Sequence, residues 1–203
     1  NHRRHLRRSM HRAAEQGGVV LEGCRELPPE QVEPLLRTCF KIERSGWKGR
    51  SGSAVLDVPA AWDFYLSQAQ QLARWGEFRL HTLVHAGRPI AFEYGWQTKG
   101  VYCTPKVGYD ERLASLSPGQ LLRWLLLETF FATGEVAAID FLGPASSATT
   151  RWATHRYEID RLLVSDAGLA SRGIVAAHRG LWPLLNWLRG RRTAPSPPSS
   201  VPI

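Results

Sequence analysis

A chain of 203 residues that is 43% hydrophobic and 10% aromatic, with eight Trp, has too much apolar surface for a disordered chain and enough for one cored domain with tails. Its net charge of +8 lies at the ends: residues 1–12 hold five Arg and no acid, residues 172–192 hold the same, and the stretch between has 16 basic against 18 acidic residues. Such ends either bind nucleic acid or anionic lipid or are solvated helix faces, while three Cys without C-x-x-C spacing suggest neither a disulfide framework nor a zinc site and fit a reducing cytoplasm.

In chain order, His2 to Gln16 is rich in Arg and Ala, free of Pro and Gly, and stopped by Gly17-Gly18, the pattern of an exposed helix. Because the chain starts at Asn1 inside that helix, it reads as the later portion of a longer protein. Val19 to Glu22 predicts a short strand. Pro28-Pro29-Glu30 opens a second helix to about Arg44, with Val32, Leu35, Leu36, Cys39 and Phe40 at helical spacing, and a Gly-rich loop follows from Ser45 to Gly52. Pro59 to Trp75 repeats the design, with Trp62, Tyr65, Leu66, Ala69 and Leu72 forming its apolar stripe.

Phe78–His85, Arg88–Thr98 and Val101–Val107 are separated by Ala86-Gly87 and Lys99-Gly100, turns of hairpin type, and predict three antiparallel strands. Gln120 to Thr133 is apolar nearly all round, a helix covering a sheet, and Gly134 ends it. Ala137 to Leu142 is then a buried strand that, following a crossover helix, runs parallel to a strand of the meander. Tyr157 to Val164 predicts a last strand, Ile174 to Leu188 a basic amphipathic helix, and Thr193 to Ile203 a disordered Pro/Ser-rich tail. The expected division is 1–17 as a basic helix or linker, 18–166 as the domain, 167–192 as the basic helix and 193–203 as the tail. The longest apolar run, around Leu121 to Leu127, is far short of a membrane span.

Two places invite chemistry. Along Arg88–Thr98 the residues Ala91, Glu93, Gly95 and Gln97 share one face, so Glu93 has small neighbours that leave room for a ligand; alternatively it pairs with an Arg on an adjacent strand. Before Gln120, Ser117 is placed to cap a helix, Pro118 to occupy its first position and Gly119 to allow close approach. That start either holds an anion in front of Tyr109, Asp110 and Glu111 or is an ordinary capped helix. The seven His form no H-E-x-x-H motif or Cys/His cluster, and no G-x-S-x-G, P-loop or G-x-G-x-x-G motif occurs, so metal, hydrolase, NTPase and dehydrogenase readings lack their usual supports.

Six short motifs occur in a fixed order: G-W-K-G at 46–49, G-R-P-I-A-F at 87–92, K-V-G-Y-D at 106–110, S-P-G-Q-L-L at 117–122, D-F-L-G at 140–143 and R-W-A-T at 151–154. Together, over about Arg3 to Val164, they resemble the CelD-type acetyltransferases of the GNAT superfamily, whose members usually have another α/β half upstream. The resemblance implies an α/β (α+β) GNAT-like fold: a mixed, mostly antiparallel sheet, splayed near its middle, with helices on both faces. It implies acyl-CoA, acetyl-CoA above all, as co-substrate, entering the splay with its pyrophosphate on a helix start, and no metal. The matching cofactor residues are Lys106, Ser117, Pro118, Gly119 and Gln120, although the common [RQ]-x-x-G-x-[GA] signature is absent after Arg112.

Acyl transfer from a thioester to an amine needs a base for the ammonium proton and an acid for the leaving thiolate. The resemblance makes Glu93 or Asp140 the base and Tyr109 or Tyr102 the acid, with Trp47, Lys48, Arg151 and Trp152 shaping the acceptor pocket. The implied acceptor is a small-molecule or glycan-linked amine in polysaccharide or cell-envelope biosynthesis. Two alternatives stand beside this. One is a FemAB-like transferase, which S-P-G-Q-L-L followed by D-F-L-G also resembles, drawing on aminoacyl-tRNA that the Arg-rich ends would contact. The other is a non-catalytic half that docks on a partner.

Overall fold

Five strands form one sheet in the order β1 (Val20–Cys24), β2 (Phe78–His85), β3 (Arg88–Thr98), β4 (Val101–Tyr109) and β5 (Ala138–Asp140). All neighbours are antiparallel except the β4–β5 pair. The computed structural model describes residues 2–143, 145–159, 166 and 168–192. It divides into two units, Asn1–Trp152 and Ala153–Ile203. The first contains the sheet and helices α1 (His2–Glu15), α2 (Pro29–Ser45), α3 (Trp47–Arg50), α4 (Pro59–Arg74), α5 (Pro118–Thr133) and α6 (Ser147–Thr150); the second contains α7 (Leu169–Arg192).

The meander follows from its turns. Ala86-Gly87 and Lys99-Gly100 all have positive φ, from 48° to 75°, which gives two-residue connections the twist of the strands they join. Alternation along β2 and β3 then sends Phe78, Leu80, Phe92 and Tyr94 to one face, where Val32, Leu36 and Phe40 of α2 and Ala69 and Leu72 of α4 cover them. The opposite face meets α1 and α5. Leu83 and Ala91 pack with Leu6, Ala13, Leu121 and Leu122, and Tyr102 packs with Leu126 and Phe130. The architecture is therefore α+β, a mixed sheet with helices on both faces, as the sequence predicts.

β5 joins at the far edge for three residues only, Val101↔Ala138, Tyr102↔Ile139 and Cys103↔Asp140. Directly beyond, the β3–β4 register jumps from Trp96↔Cys103 to Tyr94↔Lys106, so Thr104 and Pro105 oppose Gly95 in a bulge. A Cβ on Gly95 would lie 1.9 Å from the Cys103 carbonyl oxygen, so only glycine fits there. Pro105 has no N–H to donate and suits a bulge. β4 thus bends where β5 leaves it, and the two strands diverge.

Several details differ from the sequence reading. The first strand runs to Cys24, the Gly-rich loop contains the single-turn α3, and α7 spans more than Ile174 to Leu188. Of the strand predicted at Tyr157 to Val164, residues 157–159 have no regular structure and 160–164 lie outside the described residues, as does the tail from Thr193 to Ile203. Ser117 does not cap α5 with its side chain. Its backbone is left-handed at φ 54°, and its hydroxyl turns instead to His5 Nε2 at 2.9 Å.

The bulge contact is testable by replacement. Gly95→Ala should destabilise the protein by about 1–3 kcal/mol or more, because Cys103 and Thr104 backbone must move. Gly52→Ala, at φ 66° with open space around it, should cost only about 1 kcal/mol. Equal urea midpoints for the two variants would show that the bulge is not tight.

Candidate active site

The end of β4, the turn after it and the α2–α3 junction border a small open cleft of about 60 Å³, lined by Glu43, Trp47, Lys48, Gly108, Tyr109 and Glu111 among others. Glu111 ties it together. Its carboxylate accepts from the Trp47 backbone N–H at 2.8 Å and from Arg50 Nη2 at 2.7 Å. Gly46 makes room for this, since a Cβ there would sit 2.9 Å from Glu111 Oε1. Gly49 is fixed by an even closer contact, 1.7 Å from a virtual Cβ to the Arg44 carbonyl oxygen, which folds α3 back against the end of α2.

At the base of the cleft Glu43 is 4% exposed. Its Oε1 meets Lys48 Nζ at 2.5 Å and Lys106 Nζ at 3.3 Å, and its Oε2 accepts the Val55 N–H at 3.0 Å. Burial pushes this carboxyl up, but the Lys48 hydrogen bond, the Val55 N–H and the two ammonium charges outweigh it and hold Glu43 below the usual glutamate range. Trp47 and Tyr109 remain 58% and 43% exposed, so two aromatic surfaces face solvent beside this charge pair.

Glu93 points to the other face of the sheet, and there the expectation of room around it is corrected. Its small neighbours let α5 pack close, and Glu93 is 0% exposed with Arg123 Nη2 2.7 Å from its Oε2. The partner is an Arg, but on the covering helix rather than an adjacent strand. Burial raises the Glu93 carboxyl above its usual range, offset in part by the Arg123 charge. Tyr102, fully buried beside it, is raised further by burial and the Glu93 charge, while its hydroxyl lies 3.2 Å from His81 Nδ1. Burial lowers His81 to about 3, so it is neutral at ordinary pH.

Asp140 is the last paired residue of β5. Its neighbour Ile139 packs with Tyr102, so alternation turns Asp140 to the opposite face, the side of α2 and the cleft. Its Oδ1 accepts the Leu142 N–H at 2.9 Å.

At the start of α5 the structure gathers several predicted residues. Pro118 takes the first turn, Gly119 lies 3.4 Å, measured from a virtual Cβ, from the Tyr109 ring, and Gln120 Oε1 accepts the Trp152 indole N–H at 3.2 Å. Trp152 is also edge-on to His2 at 4.7 Å, and it belongs with the α1–α5 face, not with the cleft. Arg151 donates to the Ser147 carbonyl at 2.8 Å. The predicted set thus divides: Trp47, Lys48 and Tyr109 line the cleft, Trp152 stands with Gln120, and Lys106 turns to Glu43 and the Tyr65 ring, 5.0 Å away.

Sequence reasoning missed Glu43 and Arg123, and it set Glu111 in front of the α5 start, whereas its carboxylate holds Trp47 and Arg50. Arg123 had a signal, as the one charge inside Leu121-Leu122-Arg123-Trp124-Leu125-Leu126-Leu127, where a buried partner is required. Glu43, within Lys41-Ile42-Glu43-Arg44, looks like any solvated helix acid.

The family described as acetyltransferase (GNAT) domain matches residues 1–157, and the chain belongs to it. Among solved structures, the chain is similar to an aminoglycoside acetyltransferase from an uncultured soil metagenomic sample, in complex with sisomicin, at 9% identity and TM-score 0.47, covering 72% of this chain and 95% of that one. It is also similar to a ribosomal-protein-alanine N-acetyltransferase from Brucella melitensis biovar Abortus 2308, at 9% identity and TM-score 0.47, covering 73% and 100%. A GCN5-related N-acetyltransferase from Kribbella flavida shares 16% identity at TM-score 0.44, over 68% of this chain and 33% of that one. No curated protein matches the chain.

Among the described residues no group of three or more His, Cys, Asp or Glu is placed to hold a metal ion, and no helix is long and apolar enough to cross a membrane.

The state of Glu43 has a pH signature. Its carboxyl is depressed in the folded protein, so its contribution is complete above the unfolded glutamate pKa of about 4.3 and is lost as pH falls through the lower folded value. Glu43→Gln should therefore destabilise by about 2 kcal/mol near pH 7, less than a fully buried pair because both lysines still touch water. The gap to wild type in denaturant midpoint should close toward pH 3; a gap independent of pH would contradict the assignment.

Proposed function

We propose that this chain is an acyl-CoA-dependent N-acyltransferase in which the donor lies between the diverging β4 and β5 and the acceptor amine approaches from the cleft. One observation carries the reading: β4–β5 pairing stops at Cys103↔Asp140, while β4 runs on to Tyr109 beside the start of α5. Among the described residues the outer edge of β4 beyond Cys103 pairs with no strand and is open to a linear amide ligand. The α5 start offers the Gly119 N–H and a positive dipole end to a pyrophosphate, the Ser117 and Gln120 N–H groups being bonded to the Ala114 and Ser117 carbonyls. Ser117, Pro118, Gly119 and Gln120 form that seat. The buried Thr104 hydroxyl stands with Glu93 and Tyr102, and Arg123 lies beside them on α5, so a polar layer backs the β4 bulge.

Of the two candidate bases, Asp140 stands at the mouth of the divergence, whereas the Glu93 carboxylate is sealed against Arg123. Asp140 therefore takes the ammonium proton, directly or through water, and the freed amine attacks the thioester carbonyl. As the C–S bond breaks, the thiolate takes up the proton that the attacking nitrogen sheds; Tyr102 is buried, and Tyr109, next to Gly119, stands at the pyrophosphate end of the donor, so neither supplies it. Trp47 and Tyr109 offer aromatic faces, with Glu111 behind them, to parts of the acceptor remote from the reacting amine. The motif order supports a small-molecule or glycan-linked amine acceptor, in polysaccharide or cell-envelope biosynthesis, and three free cysteines fit a reducing cytoplasm.

Calorimetry with acetyl-CoA should give saturable binding to the wild-type chain. With an amine found by thiol-release screening, Asp140→Asn should lower kcat by about 10²–10⁴-fold while donor affinity stays near wild type. Unchanged turnover in Asp140→Asn would remove Asp140 as the base.

One observation favours a second reading. Arg3, Arg4, Arg7, Arg8 and Arg12 of α1 are all exposed, a surface suited to the phosphates of a charged tRNA. Aminoacyl-tRNA binding that falls steeply with added salt and is lost when these arginines become Gln would favour that donor over acyl-CoA.

A further inference from the structure

Arg123 is clamped from two directions. Its side chain is 8% exposed, and one edge of the guanidinium meets the fully buried Glu93 of β3 at 2.7 Å. Its face carries the Phe141 ring, 4.5 Å from guanidinium carbon to ring centroid. Phe141 directly follows Asp140, so it is the first residue of the chain after β5 has left β4. A single planar cation on α5 therefore grips the middle of the sheet and the departing strand at once.

We propose that Arg123 is a positioning residue for the acyl donor: held by Glu93, it binds Phe141 and keeps the chain leaving β5 away from β4, which sets the width of the slot between them. This inference rests on the acyl-CoA reading above. With Phe141 stacked on the guanidinium, the chain cannot add a fourth pair opposite Thr104. Nor can the cation drift toward solvent, because that would leave Glu93 charged and unpaired where water does not reach. Lysine could not replace it, since only a planar guanidinium pairs through its edge and stacks through its face together. Phe141 itself is only half-buried, so its ring contributes more to this stack than to the core.

The test uses calorimetry with acetyl-CoA, alongside thermal melting of each variant. Phe141→Leu, which leaves the buried pair intact, should weaken acetyl-CoA binding about tenfold with a melting temperature close to wild type, the size of a lost cation–π contact. Phe141→Tyr keeps a ring and should restore binding. Arg123→Lys keeps the charge without the planar fork and should weaken binding as Phe141→Leu does. Phe141→Leu that binds as tightly as wild type, in a wild type that does bind, overturns this inference alone. A wild-type chain that binds neither acetyl-CoA nor coenzyme A overturns the acyltransferase reading and this inference with it.

Discussion

β5 keeps register with β4 for three residues and then parts from it, and that divergence decides where everything else can stand. A parallel strand has no short route back to its neighbour, so α5 must span the crossover and cover the sheet. The bulge at Thr104 and Pro105 bends β4 at the same point, and it exists because Gly95 lets the Cys103 carbonyl come close. One small residue on β3 thus sets the course of β4, which in turn aims Tyr109 at the start of α5.

Three carboxylates near this divergence show how surroundings divide one chemistry into different roles. Glu43 has two lysines and a backbone N–H, partly wetted, so partners win over burial and its carboxyl is depressed. Glu93 has one strong partner in a dry layer, so burial wins and its carboxyl is raised. Glu111, on the rim, is held by Arg50 and the Trp47 N–H and fastens the cleft wall to the turn after β4. The first and third stand at the cleft on the α2 side of the sheet. The second anchors α5 to the middle of the sheet through Arg123.

Much of the fold was legible because the turns and helix ends carry it. Ala86-Gly87, Lys99-Gly100, Gly76 and Gly134 mark boundaries by conformations that other residues resist, and the alternation in β3 separates Phe92, Tyr94 and Trp96 from Ala91, although Ile90, expected with the first three, packs in the Leu83 and Ala91 cluster. The site was legible only in part. Trp47, Lys48 and Tyr109 do meet in one cleft, drawn from stretches 60 residues apart by the Glu111 contacts, but nothing local announces that meeting. Small neighbours around Glu93 were read as space for a ligand, whereas in a covered sheet such space is filled by the covering helix. The resemblance puts Trp152 with Trp47 in one pocket, whereas the packing of α1 against α5 holds Trp152 on the other face. These are long-range outcomes, which periodicity and spacing do not encode.

The claim at the centre of this account is that the open edge of β4 and the first turn of α5 receive the acyl donor. Amide hydrogen exchange with and without acetyl-CoA tests it most directly. The account predicts added protection at amides between Thr104 and Tyr109 and at Gly119 and Gln120, with β1 and α4 unchanged. Protection confined to the arginine face of α1 or to α7, with β4 exchanging as in the free protein, would contradict it.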